Sequence, residues 1–381
     1  MDPTSRVPGR RPVARCAGTV SHVAELARLV DDVRRLVEVE SPSLDVAACS
    51  ASASNLAALI EERTGRAASL VDGPAGPHVR WTGGGTPRVL ILGHHDTVFP
   101  LGTLATRPFA HVDGRLTGPG VFDMKAGIVQ AIHAVAELGD ASGVEMLFTA
   151  DEEVGSGSSR ELLERRAQAC GNVLVLEPSA DGGAIKTGRK GTGTFEVIVR
   201  GRAAHAGLEP ENGVNSLIEA AHQVLAIAAI GDAAAGTTVT PTVGRAGTAD
   251  NVVPAETRVR VDVRVTGTSE KARVEAAMAA LSPVDPRATI DVVGSITRPP
   301  MPESASATLF PLAQAVMPGI AGVAVGGGSD GNFTAALGVP TLDGLGAVGG
   351  GAHADHEWVD ASTLPTRVDL LRGILARLVA A

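Results

Sequence analysis

The sequence has no tyrosine and only 2% aromatic residues, so any core it builds must rest on valine, leucine, isoleucine and alanine. That scarcity argues against single-stranded nucleic-acid binding, which needs aromatic stacking platforms along basic grooves. A formal net charge of −9 points the same way, because contacts to phosphates dominate such affinity. Cysteine is sparse too. Cys16, Cys49 and Cys170 are odd in number, widely separated and without C-x-x-C spacing, which favours neither a disulfide framework nor a thiolate metal site. No stretch reaches the roughly 18 uninterrupted apolar residues of a membrane span. Arg6, Arg10, Arg11 and Arg15 are not followed by the apolar run of a signal peptide. The expectation is a cytoplasmic protein with a frayed basic segment over 1–20.

What is present is ordinary globular composition, 44% apolar and 20% charged, in a chain of 381 residues. That length exceeds what one core usually organises, so two domains are expected. Apolar residues recur at helical spacing from His22 to Glu38, and Asn55–Glu62 reads as a second helix. Three short apolar runs, Val89–Leu92, Val144–Phe148 and Val173–Leu176, read as strands buried on both faces, with a helical stripe over Met124–Leu138 between the first two. This is α/β architecture with parallel strands. The middle of the chain differs. Alternation over Thr194–Arg200 and Glu256–Val265, strands near Thr238–Val243 and Ala288–Val293, and helices over Val214–Ile227 and Ser269–Leu281 make the order β-α-β-β-α-β of a ferredoxin-like unit. A helical Thr308–Val316 and a final helix over Leu364–Leu378 suggest a return to the first domain. The expected fold is a mostly parallel, mixed sheet flanked by helices (21–187 and 299–381), with an inserted ferredoxin-like α+β lid or dimerisation domain (188–298).

In open α/β sheets ligands bind beyond the carboxyl ends of the strands, and here each apolar run leads into chemistry there. The first leads into His94-His95-Asp96. On extended backbone His94 and Asp96 share a side, which suits a metal-ligating imidazole with a carboxylate accepting its other ring N–H, while His95 packs. The second leads into Asp151-Glu152-Glu153, where crowded carboxylates call for a cation. Glu153 can bind it, leaving Glu152 to take a proton from the attacking water. The third leads into Glu177. Asp123, after Gly118-Pro119-Gly120, could be only a helix N-cap. Its two oxygens could equally bridge two cations about 3.5–4 Å apart, as in two-metal hydrolases. Gly349–Glu357 offers His353 or His356 as a further ligand, and the sequence scarcely separates them. Three carboxylates and a hydroxide balance two dications, and mixed oxygen and nitrogen ligation suits Zn²⁺, with Co²⁺ or Mn²⁺ admissible.

The segments HHDTVFP, GPGVFDMKAG, DEEVGS, EPS, GRAAHAGLEPENGVNSL, ADNVVPAETRVRVDVRV, GGGSDG and GAHADHEWVD, in that order over His94–Asp360, resemble the zinc peptidase family of glutamate carboxypeptidase, acetylornithine deacetylase, succinyl-diaminopimelate desuccinylase and aminoacylase. The resemblance implies one zinc held by His94, Asp123 and Glu177 and another by His353, Asp123 and Glu153. Asp123 would bridge them, Glu152 act as general base and Asp96 orient His94. It also implies a cis peptide between Asp123 and Met124, and a homodimer formed through the inserted domain. In that dimer His205 would reach the partner's site to stabilise the oxyanion. Asn251 and Arg264, with N–H groups of Gly327 and Gly328 and more weakly Arg298, would meet the substrate's carboxylate. The wording lies nearest the glutamate carboxypeptidase branch. A deacylase of N-acyl amino acids and a catalytically silent dimeric binding protein are the rivals.

Overall fold

The computed structural model describes residues 18–380. The expected frayed segment therefore lies outside the described residues up to position 17, as does Cys16, and a helix already runs over Gly18–Val37. Among the described residues no helix is long and apolar enough to cross a membrane.

At the centre of a six-stranded sheet, Val89–His94 runs parallel to Val144–Thr149 on one side and Val173–Val175 on the other. All three strands are buried throughout, because apolar clusters cover both faces. Val89 and Ile91 join the larger cluster, with the helices Gly18–Val37, Val46–Thr64, Ala126–Ala136 and Leu364–Ala380, while Leu90 and Leu92 join a smaller one against Arg160–Cys170. The sheet is mixed rather than purely parallel. Ser69–Val71 and His78–Thr82 add an antiparallel edge beside Val144–Thr149. Their short, polar pattern carried no signal strong enough to read. Nor did helix Arg160–Cys170, which buries only Leu163, Ala167 and Cys170 among charged residues.

A polar knot ties three of the helices together. Arg63 forks onto Asp32 at 2.6 and 2.7 Å, and His133 Nε2 lies 2.7 Å from the same carboxylate. Burial alone would raise the Asp32 pKa, but Arg63 and His133 outweigh it and hold the group below its ordinary value. A depressed folded pKa contributes stability that is present above the unfolded value, near 3.9, and is lost as pH falls through the folded one. Asp32→Asn should therefore cost about 3 kcal/mol at neutral pH, the scale of removing one partner from a buried pair. Urea unfolding at stepped pH should show the gap to the parent narrowing in acid.

Residues 191–298 build a separate antiparallel sheet in the order Thr238–Ala246, Glu256–Val265, Gly191–Arg200, Thr289–Arg298. Val259, Val261, Val263 and Val265 face the helices Ser216–Ala228 and Thr268–Ala279 across a cluster of their own, and the polar alternates form the open face. The last strand runs past the expected end at Val293. Gly294, at φ 115°, crosses so close to the neighbouring strand that a Cβ would lie 2.2 Å from Thr194 O, and a register shift follows between Ser295 and Arg298. Arg298 is thus the last residue of the strand.

Candidate active site

His94 is the last residue of its strand and is 1% exposed. Its Nδ1 lies 3.0 Å from the Asp96 carbonyl and 3.4 Å from Asp96 Oδ1, so the main chain shares the orienting role expected of the carboxylate. The Asp96 carboxylate also accepts from Ser43 Oγ at 2.6 Å and from the N–H groups of Glu152 and Glu153 at 3.2 and 3.3 Å, bracing the acidic turn. His94 Nε2 then faces Asp123 Oδ1 at 3.3 Å and Glu177 Oε1 at 3.7 Å. His95 is buried against Ser52 Oγ and the Pro77 carbonyl.

Asp123 caps no helix. Helix Ala126–Ala136 begins after it, and the Asp123–Met124 peptide is cis. The turn is held by Glu357, whose carboxylate accepts from the N–H groups of Gly120, Phe122 and Asp123 at 2.8–2.9 Å. This aims the two Asp123 oxygens in different directions, Oδ1 at His94 and Oδ2 at His353 Nε2, 3.3 Å away. Glu357 lies within the quoted segment GAHADHEWVD, directly before the strand Trp358–Asp360, but no role for it was readable.

Both histidines left open are exposed, and His353 points its Nε2 to within 3.1 Å of Glu153 Oε2. Asp151 leaves the acidic cluster to accept from Ser158 and Ser159. Glu152 stays, 9% exposed, with Oε1 2.9 Å from Arg298. Ligand atoms of His94, Asp123 and Glu153 lie within 4.8 Å of one another, as do those of His94, Glu152 and Glu177.

The electrostatics show what such a cluster demands. His353 is pushed up to about 10 by Asp123 and Glu153 beside it. Burial opposes a charge on His94, yet Asp123 and Asp96 hold it well above its usual range. Burial, with Asp123 nearby, pushes Glu177 up to about 7, and burial raises Glu152 strongly despite Arg298. Excess negative charge in a dry place draws in positive charge. Meanwhile His94 Nε2, Asp123 Oδ1 and Glu153 Oε1 are buried without hydrogen-bond partners. Orphaned polar atoms are costly, and a divalent cation shared among imidazole nitrogens and carboxylate oxygens would satisfy them. The donor set fits a metal.

Of the remaining predicted residues, Arg298 alone pairs with an acid of the cluster. His205 is exposed, its Nδ1 accepting from Gly207 and Leu208. Asn251 lies beside it through its carbonyl, which accepts from Ala206 N. Arg264 forks onto Asp262 of its own strand. None of the three makes a hydrogen bond or ion pair with the acidic cluster of the same chain. The carbonyls of Gly327 and Gly328 accept from Arg189, a buried arginine that sequence reasoning missed. The Arg298 guanidinium faces Glu152 and Asp330.

Carboxylates and imidazoles delivered to one sheet edge, with a free acid beside them, define a metal-dependent hydrolase of the peptidase and amidohydrolase kind. The chain belongs to peptidase family M20/M25/M40, whose model matches residues 90–377. It is 34% identical over 304 residues to carboxypeptidase G2 of Pseudomonas sp. (strain RS-16), covering 75% of this chain and 72% of that protein. It is 31% identical over 223 residues to succinyl-diaminopimelate desuccinylase 2 of Shewanella loihica, covering 51% and 59%. In fold it is similar to aminopeptidase PepT of Bacillus cereus, with a TM-score of 0.73 at 22% identity over 93% of this chain and 99% of that one. An M20 family metallo-carboxypeptidase of Sulfolobus solfataricus follows at TM-score 0.70 and 16% identity, over 94% and 99%.

Proposed function

We propose that this enzyme is a glutamate carboxypeptidase-like exopeptidase that hydrolyses the amide bond next to an amino-acid carboxylate, with two divalent ions, zinc by preference, as cofactors. The supporting observation is the placement of Asp123 between His94 and His353, each 3.3 Å from a different carboxylate oxygen. His94, Asp123 and Glu177 would hold one ion, and His353, Asp123 and Glu153 the other. Such ions supply polarisation of the scissile carbonyl and acidification of the attacking water. Glu152 takes the proton of that water and returns it to the departing nitrogen, with Asp96 bracing its turn.

Residues 21–187 and 299–381 form the catalytic domain in this reading, and 188–298 a lid and dimerisation domain. Leu217, Ile218 and Leu225 of helix Ser216–Ala228 are 51–72% exposed, and the strand Thr238–Ala246 has an open edge beside them, which supports pairing of two copies there. His205 of the partner subunit then stabilises the oxyanion. Asn251 and Arg264, with the N–H groups of Gly327 and Gly328, take the substrate's carboxylate. Buried unpaired thiols at Cys49 and Cys170 suit a cytoplasmic setting.

The likeness to a desuccinylase favours a second reading, deacylation of N-acyl amino acids. A panel of peptidyl and N-acyl glutamates, ornithines and diaminopimelates separates the two, run on protein whose mass is checked by sedimentation. Peptidyl glutamates should show the highest kcat/KM, on a dimer. Faster cleavage of acylated ornithine or diaminopimelate would move the enzyme to the deacylase branch, and no cleavage with less than one ion per chain would favour a silent binding protein.

A further inference from the structure

The chain enters the 191–298 sheet after the strand Ile185–Arg189, which pairs with Gly322–Val325, and leaves it after Thr289–Arg298. The crossings are stapled together, Arg189 and Met301 exchanging N–H to carbonyl bonds at 2.9 Å in both directions. Each crossing also carries an arginine that turns back into the acidic site. Arg189 is 4% exposed, forks onto Asp343 at 2.6 and 3.0 Å and reaches Glu177 Oε2 at 3.4 Å.

Arg298, 8% exposed, is engaged more fully. Its Nη2 lies 2.9 Å from Glu152 Oε1 and donates to the Glu152 carbonyl at 2.8 Å and to Ser156 Oγ at 3.2 Å. Its Nη1 lies 3.1 Å from Asp330 Oδ1, Ser156 also bonds Asp330, and the guanidinium rests over the Phe333 ring. Among the described residues Arg298 is the only hydrogen-bonding or ion-pairing partner of the Glu152 side chain. A free glutamate carboxylate samples many rotamers, and a proton-transferring group must be held within about 0.5 Å of its working position. One guanidinium that grips both the carboxylate and the carbonyl of the same residue does that. It engages only one carboxylate oxygen, leaving the other for water.

We propose that Arg298 is a positioning residue that holds Glu152 in its reacting orientation and, standing on the last residue of the 191–298 sheet, couples the stance of that unit to the base. This rests on Glu152 being the general base. Movement of the inserted unit about the stapled crossings shifts the brace, so an inserted unit held in place by substrate fixes Glu152 as well.

The test compares Arg298→Lys, Ser156→Ala and Glu152→Gln with the parent for kcat, KM, ions per chain and thermal midpoint. A lysine keeps the charge but cannot make the forked contact. Arg298→Lys should lose roughly 10²-fold in kcat, the scale of a misplacement near 1 Å, with KM and metal content unchanged. Ser156→Ala should lose less, again in kcat alone. Added guanidinium should restore part of the turnover of Arg298→Ala. A rise in KM at parental kcat would overturn the proposal in favour of substrate binding, and loss of metal in step with activity would reduce Arg298 to a structural role. If Arg298→Lys fails to fold, parental kcat in Ser156→Ala overturns the proposal. An active Glu152→Gln would instead remove the base itself, whereas an inactive Glu152→Gln beside a fully active Arg298→Lys would sink only the positioning role.

Discussion

Glu152→Gln should retain the parent's metal content and lose on the order of 10²–10⁴-fold in kcat, the usual contribution of a positioned proton-transfer group. Glutamine keeps the shape and can still accept from Arg298, so the brace and the turn made with Asp96 survive. What goes is the ability to take up a proton. Burial raises the carboxyl above its ordinary range, with Arg298 opposing that shift. Steady-state hydrolysis of a peptidyl glutamate, with elemental analysis of the same sample, checks the expectation. Turnover within a few-fold of the parent would remove Glu152 from its role.

Asp123→Asn should be more severe. An amide offers one acceptor oxygen and presents N–H donors where the second oxygen stood, so it cannot face both His94 and His353 as an acceptor. Metal content should fall from two ions per chain to one or fewer, and kcat by at least about 10³-fold, since several kcal/mol of transition-state stabilisation disappears. Zinc should raise the thermal midpoint of the parent, because binding to the folded state alone stabilises it, and should raise that of the variant much less. Equal zinc shifts in both would show that Asp123 takes no part in binding.

The residues that meet at the acidic cluster were readable because each follows an apolar strand, and strand ends in such sheets share an edge. His94, Glu153 and Glu177 needed only that rule. His353 needed the fold, since nothing local separates it from His356. Glu357 and Asp330 lie within the quoted segments GAHADHEWVD and GGGSDG and Arg189 ends a strand, but no local pattern gives their roles, because each acts on another group of the site that only the fold brings near. For Arg298 the resemblance implies a contact with the substrate's carboxylate, and its contact with Glu152 had no sequence signal. Its strand continues past Val293 through Gly294 and ends with the Arg298 guanidinium against Glu152. In the inserted unit the alternation over Glu256–Val265 matched the strand at both ends, because four valines on one face leave a single register that buries them.

Crystals of the zinc-loaded enzyme, measured at the zinc absorption edge, address the metal assignment most directly. Two anomalous peaks about 3.5–4 Å apart should straddle the Asp123 carboxylate, one beside His94 and Glu177 and the other beside His353 and Glu153. A single peak, or peaks away from these side chains, would contradict it.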